Sequence, residues 1–227
     1  GKDGYPPLHI SPGSPNISGE KDIFIKDSSS SQYISSLMLI APKIRDGLRL
    51  KFRNDLPSFS YVQMTAKVLR MADLKCEMKN NEIYIPEQSF ESKTIEIEKD
   101  WSSASYFFPF ISLGIIEEMK LKGISIQSIQ MDTAIIDFLK PLGLSILESG
   151  NDLILKKNKE ERRDIEVFDL KNNPDLSLTV AVTYALNKSR VKMTGLQNLV
   201  HKESNRVQSL QAELSKLKVI CTFNDGE

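Results

Sequence analysis

The residues best suited to chemistry gather where helices should begin. Ser28-Ser29-Ser30-Ser31-Gln32 precedes one apolar run, Trp101-Ser102-Ser103 a second, and Asn172-Asn173-Pro174-Asp175 a third. Ser58 and Tyr61 open one amphipathic stretch, and His201-Lys202-Glu203-Ser204-Asn205-Arg206 opens another. A helix N-terminus presents unpaired N–H groups and partial positive charge, so it suits a phosphate or carboxylate ligand. Ser, Asp and Asn are also the ordinary N-caps, and capping is the simpler expectation for Ser102, Ser103 and Asp132. Lys202 and Arg206 are harder to explain that way. Cations in a first helical turn oppose the helix dipole, at about 0.3–1 kcal/mol each, and a bound anion would turn that cost into a gain. In isolation, however, Lys-Glu-x-x-Arg is a common surface pattern.

The rest of the chain must position these groups. Its 227 residues suggest one large domain or two modest ones, and 40% apolar with 26% charged residues is ordinary globular composition. Thirty basic residues balance thirty acidic ones, which argues against a general binder of nucleic acid or membrane surfaces. The longest apolar runs, such as Leu37-Met38-Leu39-Ile40-Ala41, are far short of the ~20 residues that span a bilayer. The two cysteines, Cys76 and Cys221, are too few for a disulfide framework or a Cys-rich metal site, and both read as inert core residues. His9 and His201 suggest no metal either, and the composition points to a cytosolic protein.

An internal repeat organises the elements. Three strand-like runs end in Asp: Ile23 to Asp27, Ile95 to Asp100 and Ile165 to Asp169, the acids spaced by 73 and then 69 residues. After each comes a stretch apolar nearly all round, Gln32 to Ala41, Ala104 to Ile111 and Leu176 to Leu186, which predicts helices buried on every side. Pro109 should kink the second of these or delay its start. A second strand is expected at Gly47 to Arg53, Lys122 to Gln127 and Ser189 to Thr194. A striped helix follows, clearest at Ile135, Phe138, Leu139 and Leu142, and at Val207, Leu210, Leu214 and Leu217; Val62, Ala66 and Leu69 give a fainter stripe. Hairpins close two units, through Asn80-Asn81 and through Ser149-Gly150-Asn151-Asp152. The unit is β-α-β-α-β-β. A third unit would end on a strand at Val219, Cys221 and Phe223, and Tyr5 to Ile10 reads as the last strand of an earlier unit. The expectation is a piece of a longer protein. The charge run Lys156 to Asp164 reads as a solvated connector between units.

Three segments taken together resemble a known family: Ser30-Ser31-Gln32-Tyr33-Ile34-Ser35-Ser36-Leu37, then Asp100-Trp101-Ser102-Ser103-Ala104-Ser105-Tyr106, then Asn198-Leu199-Val200-His201-Lys202-Glu203-Ser204-Asn205-Arg206. Their order and context are similar to the EPSP synthases, the 3-phosphoshikimate 1-carboxyvinyltransferases. The resemblance runs from about Tyr5 to Leu217. It implies an α/β chain of repeated βαβαββ units in the enolpyruvyl transferase (inside-out α/β barrel) fold, with roughly three units present and the last truncated. Residues 1–16 would then be the end of a preceding unit and a linker. Residues 17–99 would be the last unit of the first domain, and 100–227 two units of the second.

The resemblance implies a cytoplasmic transferase of the shikimate pathway, the glyphosate target, acting on phosphoenolpyruvate and shikimate 3-phosphate in chorismate and aromatic amino-acid biosynthesis. It implies no cofactor, metal, nucleic acid or membrane, and a monomer at full length. By it, Ser30, Ser31, Gln32, Ser58, Tyr61, Asp175, Asn198 and Lys202 bind shikimate 3-phosphate, and Gln32 and Arg206 bind phosphoenolpyruvate. The catalytic group is Asp175, Glu203 and Lys202, with Asp175 deprotonating the attacking 5-hydroxyl and Glu203 serving the methylene carbon. Val200, Asn205 and Gln63 depart from the family pattern at positions usually basic or acidic. The family's N-terminal Lys-Ser-x-x-x-Arg group and its later Arg and Lys have no counterpart in this sequence, which predicts little or no turnover by this chain alone. A UDP-N-acetylglucosamine enolpyruvyl transferase is the nearest rival, disfavoured by the Ser-Ser-Gln triplet and the Lys-Glu-Ser-x-Arg turn. A non-catalytic anion-binding repeat module is the rival from another class.

Overall fold

The computed structural model describes residues 22–25, 30–53, 56, 58–79, 81–159, 165–201 and 204–224. Lys202, Glu203 and the run from Tyr5 to Ile10 lie outside the described residues, as does most of the connector between units.

The first unit forms as the repeat predicts. Strand β1 (Asp22–Ile25) runs parallel to β2 (Leu48–Phe52), with Ile23 opposite Leu50, and helix α1 (Ser31–Ile40) crosses between them. Helix α2 (Phe59–Met71) leads to the hairpin β3 (Glu77–Lys79) and β4 (Glu82–Ile85), giving the sheet order β1-β2-β4-β3. Alternation puts Leu48, Leu50 and Phe52 of β2 on one face, and Ile83 and Ile85 of β4 join them. The stripe Val62, Ala66 and Leu69 of α2 buries against this face with Ile34 and Met38 of α1.

The other units each show part of the same plan. In the second, β5 (Glu118–Leu121), β6 (Leu144–Ser149) and β7 (Asp152–Lys157) pair in the order β5-β7-β6, the pattern of β2-β4-β3. In the third, β8 (Glu166–Asp169) and β9 (Val191–Thr194) run parallel across helix α6 (Ser177–Leu186), the pattern of β1 and β2. Helices α3 (Trp101–Ser105), α4 (Phe108–Ser112), α5 (Ile135–Leu139) and α7 (Arg206–Lys216) complete them. Among the described residues two apolar cores result. One holds buried residues from Ile34 to Ile85, the other from Trp101 to Val207. Phe168 stacks between Phe138 and Tyr184, with centroids 5.1 and 5.9 Å away, and ties the second and third units together.

Several expectations need correction. The kink or delayed start expected at Pro109 is a full break: the run divides at Tyr106-Phe107 and Pro109 falls in the first turn of α4, where its missing N–H is tolerated. The strand expected at Lys122 to Gln127 lies earlier, in β5; Gly123, at φ 71°, turns the chain, and its N–H donates to Asp152 Oδ1 at 2.9 Å. No strand forms at Ile95 to Asp100. There the Glu98 carboxylate accepts from Ser128 Oγ at 2.5 Å and Ile129 N at 3.0 Å, so a side chain makes the bonds a ladder would have made. Val219 to Phe223 also stays out of any ladder, with Ile220 92% exposed. In the first two units the third strand pairs with the fourth, and no fourth strand is present here among the described residues. Helix α1 is buried on one side only: Tyr33 is 71% and Leu39 53% exposed.

The caps fall one step from where the sequence suggested. Asp100, not Ser102 or Ser103, caps α3, its Oδ1 accepting from Ser102 N at 2.9 Å and Ser103 N at 3.3 Å. The Ser103 hydroxyl, bonded to Asp100 Oδ2, holds this carboxyl below its ordinary range. Asp100→Ala should therefore cost about 0.5–2 kcal/mol in denaturant unfolding, and Asp100→Asn much less. Equal losses in both would mean that the cap is not the source.

Candidate active site

The start of α2 is pressed against the third unit. Ser58 is buried in the left-handed region at φ 58°, uncommon for a serine, and its N–H donates to Lys171 O at 3.1 Å. The Ser60 hydroxyl donates to Asn172 O. At the next residue, the Tyr61 hydroxyl donates to Asp175 Oδ2 at 3.1 Å. Thr65 Oγ1, which bonds Tyr61 O at 2.9 Å and Ser35 Oγ at 2.8 Å, fixes α2 against α1.

Asp175 projects from a short 3-10 turn, Pro174–Leu176, that leads into α6. Its other oxygen accepts from Arg206 Nη1 at 2.5 Å. Arg206 is the first residue of α7, whose cap is Asn205, the side chain accepting from Gln208 N at 3.1 Å. The helix thus starts at Arg206, later than the expected opening at His201. Asn205, a departure from the family pattern, has a local structural role.

Tyr61, Asp175 and Arg206 therefore meet from three elements. Burial, then the charges of Asp132 and Asp175, push the Tyr61 phenol far above its ordinary value, so it stays protonated and serves as a donor at neutral pH. Beside it opens a cleft of about 160 Å³ lined by Ser60, Met64, Asp100, Ser102 and Asp132. A larger groove of about 470 Å³, along Phe52, Phe59, Lys67 and Arg70, holds none of the candidate residues. Such a triad can hold a hydroxyl against a carboxylate base while a guanidinium faces an anion.

The other candidates are placed less centrally. Ser30 caps α1, its hydroxyl accepting from Gln32 N at 3.3 Å, while Ser31 is half-buried and Gln32 exposed. Of these three residues only Ser30 uses its side chain in a hydrogen bond among the described residues, and the Gln32 backbone carbonyl accepts from Ser36 Oγ at 2.9 Å. Asn198 sits half-buried in the 3-10 turn Gln197–His201. Among the described residues no cluster of His, Cys, Asp or Glu could hold a metal ion, and no helix is long and apolar enough to cross a membrane.

The sequence reading missed one member. Asp132 does not cap its own 3-10 turn, Met131–Ala134; its carboxylate accepts from Ser102 Oγ and Asn173 Nδ2 instead. Its position was the available signal: Asp132, Ile135, Leu139 and Leu142 share one buried stripe.

The sequence model of EPSP synthase (3-phosphoshikimate 1-carboxyvinyltransferase) matches residues 1–227. The chain belongs to the EPSP synthase family. A 3-phosphoshikimate 1-carboxyvinyltransferase of Bacteroides fragilis is 31% identical over 221 residues, covering 96% of this chain and 52% of the relative. One from Buchnera aphidicola subsp. Cinara cedri is 33% identical over 222 residues, covering 95% of this chain and 49% of its own. The chain thus spans about half the length of these EPSP synthase relatives. A solved EPSP synthase from Acinetobacter baumannii superposes with a TM-score of 0.58 at 18% identity, over 90% of this chain and 47% of that one. The enolpyruvyl transferase fold implied by the resemblance is the fold of the chain.

Proposed function

We propose that the chain forms half of a 3-phosphoshikimate 1-carboxyvinyltransferase, and that the Tyr61–Asp175–Arg206 meeting point is part of its active site. The observation that carries this reading is the grip on Asp175 from two sides, in a chain whose whole length matches the family. In the reaction the 5-hydroxyl oxygen of shikimate 3-phosphate bonds to C2 of phosphoenolpyruvate. Its proton passes to Asp175 while Glu203 protonates the methylene carbon. The tetrahedral intermediate then expels phosphate, and the methyl carbon returns a proton to re-form the double bond. Lys202 and Arg206 supply positive charge for two anionic substrates, and Tyr61 orients the hydroxylated ring. Ser30, Ser31, Gln32, Ser58 and Asn198 complete the binding of shikimate 3-phosphate, with Gln32 also reaching phosphoenolpyruvate.

The domain division proposed with it puts residues 17–99 in one domain and 100–227 in the other, after a linker at 1–16. The separation of the two cores between Ile85 and Trp101 supports it. Tyr61 and Asp175 then face each other across the interdomain cleft. A monomeric cytoplasmic enzyme without cofactor or metal belongs to the same proposal. The Ser-Ser-Gln and Lys-Glu-Ser-x-Arg motifs favour it over a UDP-N-acetylglucosamine enolpyruvyl transferase.

A thermal-shift titration with shikimate 3-phosphate, controlled with shikimate and with inorganic phosphate, tests the site. Stabilisation beyond either control is expected, reaching about 2.7 kcal/mol at a hundredfold excess over Kd. No shift, or one matched by phosphate alone, in both this chain and the full-length protein would overturn the reading.

A further inference from the structure

Asp132 is 4% exposed, yet it is a carboxylate on the apolar stripe of its helix, near two other acids, Asp100 and Asp175. An apolar residue there would join the core, whereas a buried carboxylate costs stability unless its oxygens are well partnered. Capping does not explain it, because no side-chain cap bond is made at the start of Met131–Ala134. Its partners do. Oδ2 accepts from the Ser102 hydroxyl at the start of α3, and Oδ1 accepts from Asn173 Nδ2 at 3.3 Å.

Asn173 is the link to the active site. It is buried, and its side-chain amide also donates to Met131 O at 2.8 Å, so it is bolted to residues 131 and 132. Its own N–H donates to Leu170 O at 3.0 Å, and its carbonyl accepts from Leu176 N at 3.1 Å. Pro174, with its fixed φ, is the one residue between Asn173 and Asp175. Whatever holds Asn173 therefore aims Asp175.

We propose that Asp132 is a positioning residue: through Asn173 it fixes the turn that presents Asp175 to substrate, and through Ser102 it ties that turn to α3. The inference rests on Asp175 being the base of the proposed reaction. Asp132 touches no substrate in it. The role needs hydrogen-bonding oxygen, not charge. An asparagine at 132 would still offer its oxygen to Asn173 and turn its amide to the Ser102 oxygen, so it should serve nearly as well.

The test uses the full-length enzyme and the variants Asp132→Ala, Asn173→Ala, their double and Asp132→Asn. A displacement of about 1 Å at a base can cost on the order of 100-fold, so each alanine variant should lose about 10- to 100-fold in kcat. KM for phosphoenolpyruvate should stay within roughly threefold, since its proposed binding groups, Gln32 and Arg206, are not substituted. The double variant should be no worse than the worse single, because both break one connection. Asp132→Asn should restore kcat to within a few-fold of wild type, which a general loss of packing would not predict. Additive losses, an Asp132→Ala enzyme with near-normal kcat, or an asparagine variant as impaired as the alanine one would each overturn the proposal. Asn173→Ala carries the same comparison should Asp132→Ala fail to fold. Hydrogen exchange at the Leu176 amide keeps the two readings apart. If wild type lacks carboxyvinyl transfer, the functional reading fails. Protection at Leu176 that falls in Asp132→Ala and returns in Asp132→Asn still supports the clamp, and unchanged protection refutes it.

Discussion

Asp175→Ala in the full-length enzyme should lower turnover at least ~100-fold, the scale set by a positioned acid–base group. The stability of the variant should barely change. Asp175 and Arg206 are partly exposed, with side chains 32% and 27% accessible, and pairs of that kind contribute about 0–1 kcal/mol. Loss of turnover with an unchanged melting temperature would therefore separate the chemical role from a structural one. Asp175→Asn sharpens the comparison. It keeps an oxygen for the Tyr61 hydroxyl but cannot take a proton from the substrate hydroxyl, so it should be nearly as inactive as the alanine variant. Lys202→Ala, by the family resemblance, should fall by a similar factor. Near-normal turnover in both alanine variants would remove Asp175 and Lys202 from the mechanism. Phosphoenolpyruvate binding gives a second readout. In the proposed site Gln32 and Arg206, not Asp175, bind phosphoenolpyruvate, so KM for that substrate should not rise in Asp175→Ala.

Much of the unit was legible because it rests on local periodicity. The repeat located β2, the Asn80-Asn81 dipeptide the β3–β4 hairpin, and the Ser149-to-Asp152 turn the β6–β7 hairpin, where Ser149 pairs with Asp152. What periodicity cannot report is the neighbour. Helices α1 and α6 both read as apolar on every side. Helix α6 packs on α4, α5 and α7, whereas α1 packs chiefly on α2 and leaves Tyr33 and Leu39 exposed. The strand misplaced at Lys122 to Gln127 fails for a related reason: Ile124 and Ile126 alternate correctly, but Gly123 had already turned the chain. At the site, resemblance named Tyr61, Asp175 and Arg206 without saying that they touch. Those contacts join residues 114 and 31 positions apart, and no local pattern encodes such pairings. Asp132 was misread as a cap because its partners, Ser102 and Asn173, lie 30 and 41 positions away.

Trp101→Ala should be the most damaging core substitution, at roughly 3–5 kcal/mol, the usual range for removing a buried aromatic side chain. Trp101 is 1% exposed, and its ring lies 5.8 Å from that of Phe108, which is itself fully buried. The indole also does polar work, since Nε1 donates to Ser125 O at 3.0 Å. Truncation would leave a cavity between α3 and the 122–130 segment and strip that carbonyl of its partner. For a chain of 227 residues the loss corresponds to about 6–20 °C in melting temperature. Trp101→Phe separates the two contributions. It keeps an aromatic ring against Phe108 but not the bond to Ser125, so it should fall between wild type and alanine. Trp101 is the single tryptophan of the sequence, so its fluorescence reports the same core during wild-type unfolding. Damage should extend to the candidate site, because a shift of α3 into the cavity would drag on Gln130, whose Oε1 accepts from the Trp101 backbone N–H at 2.9 Å and which directly precedes the Met131–Ala134 turn that carries Asp132. An alanine variant that melts within 2 °C of wild type would contradict the packing described here, as would a phenylalanine variant no better than alanine.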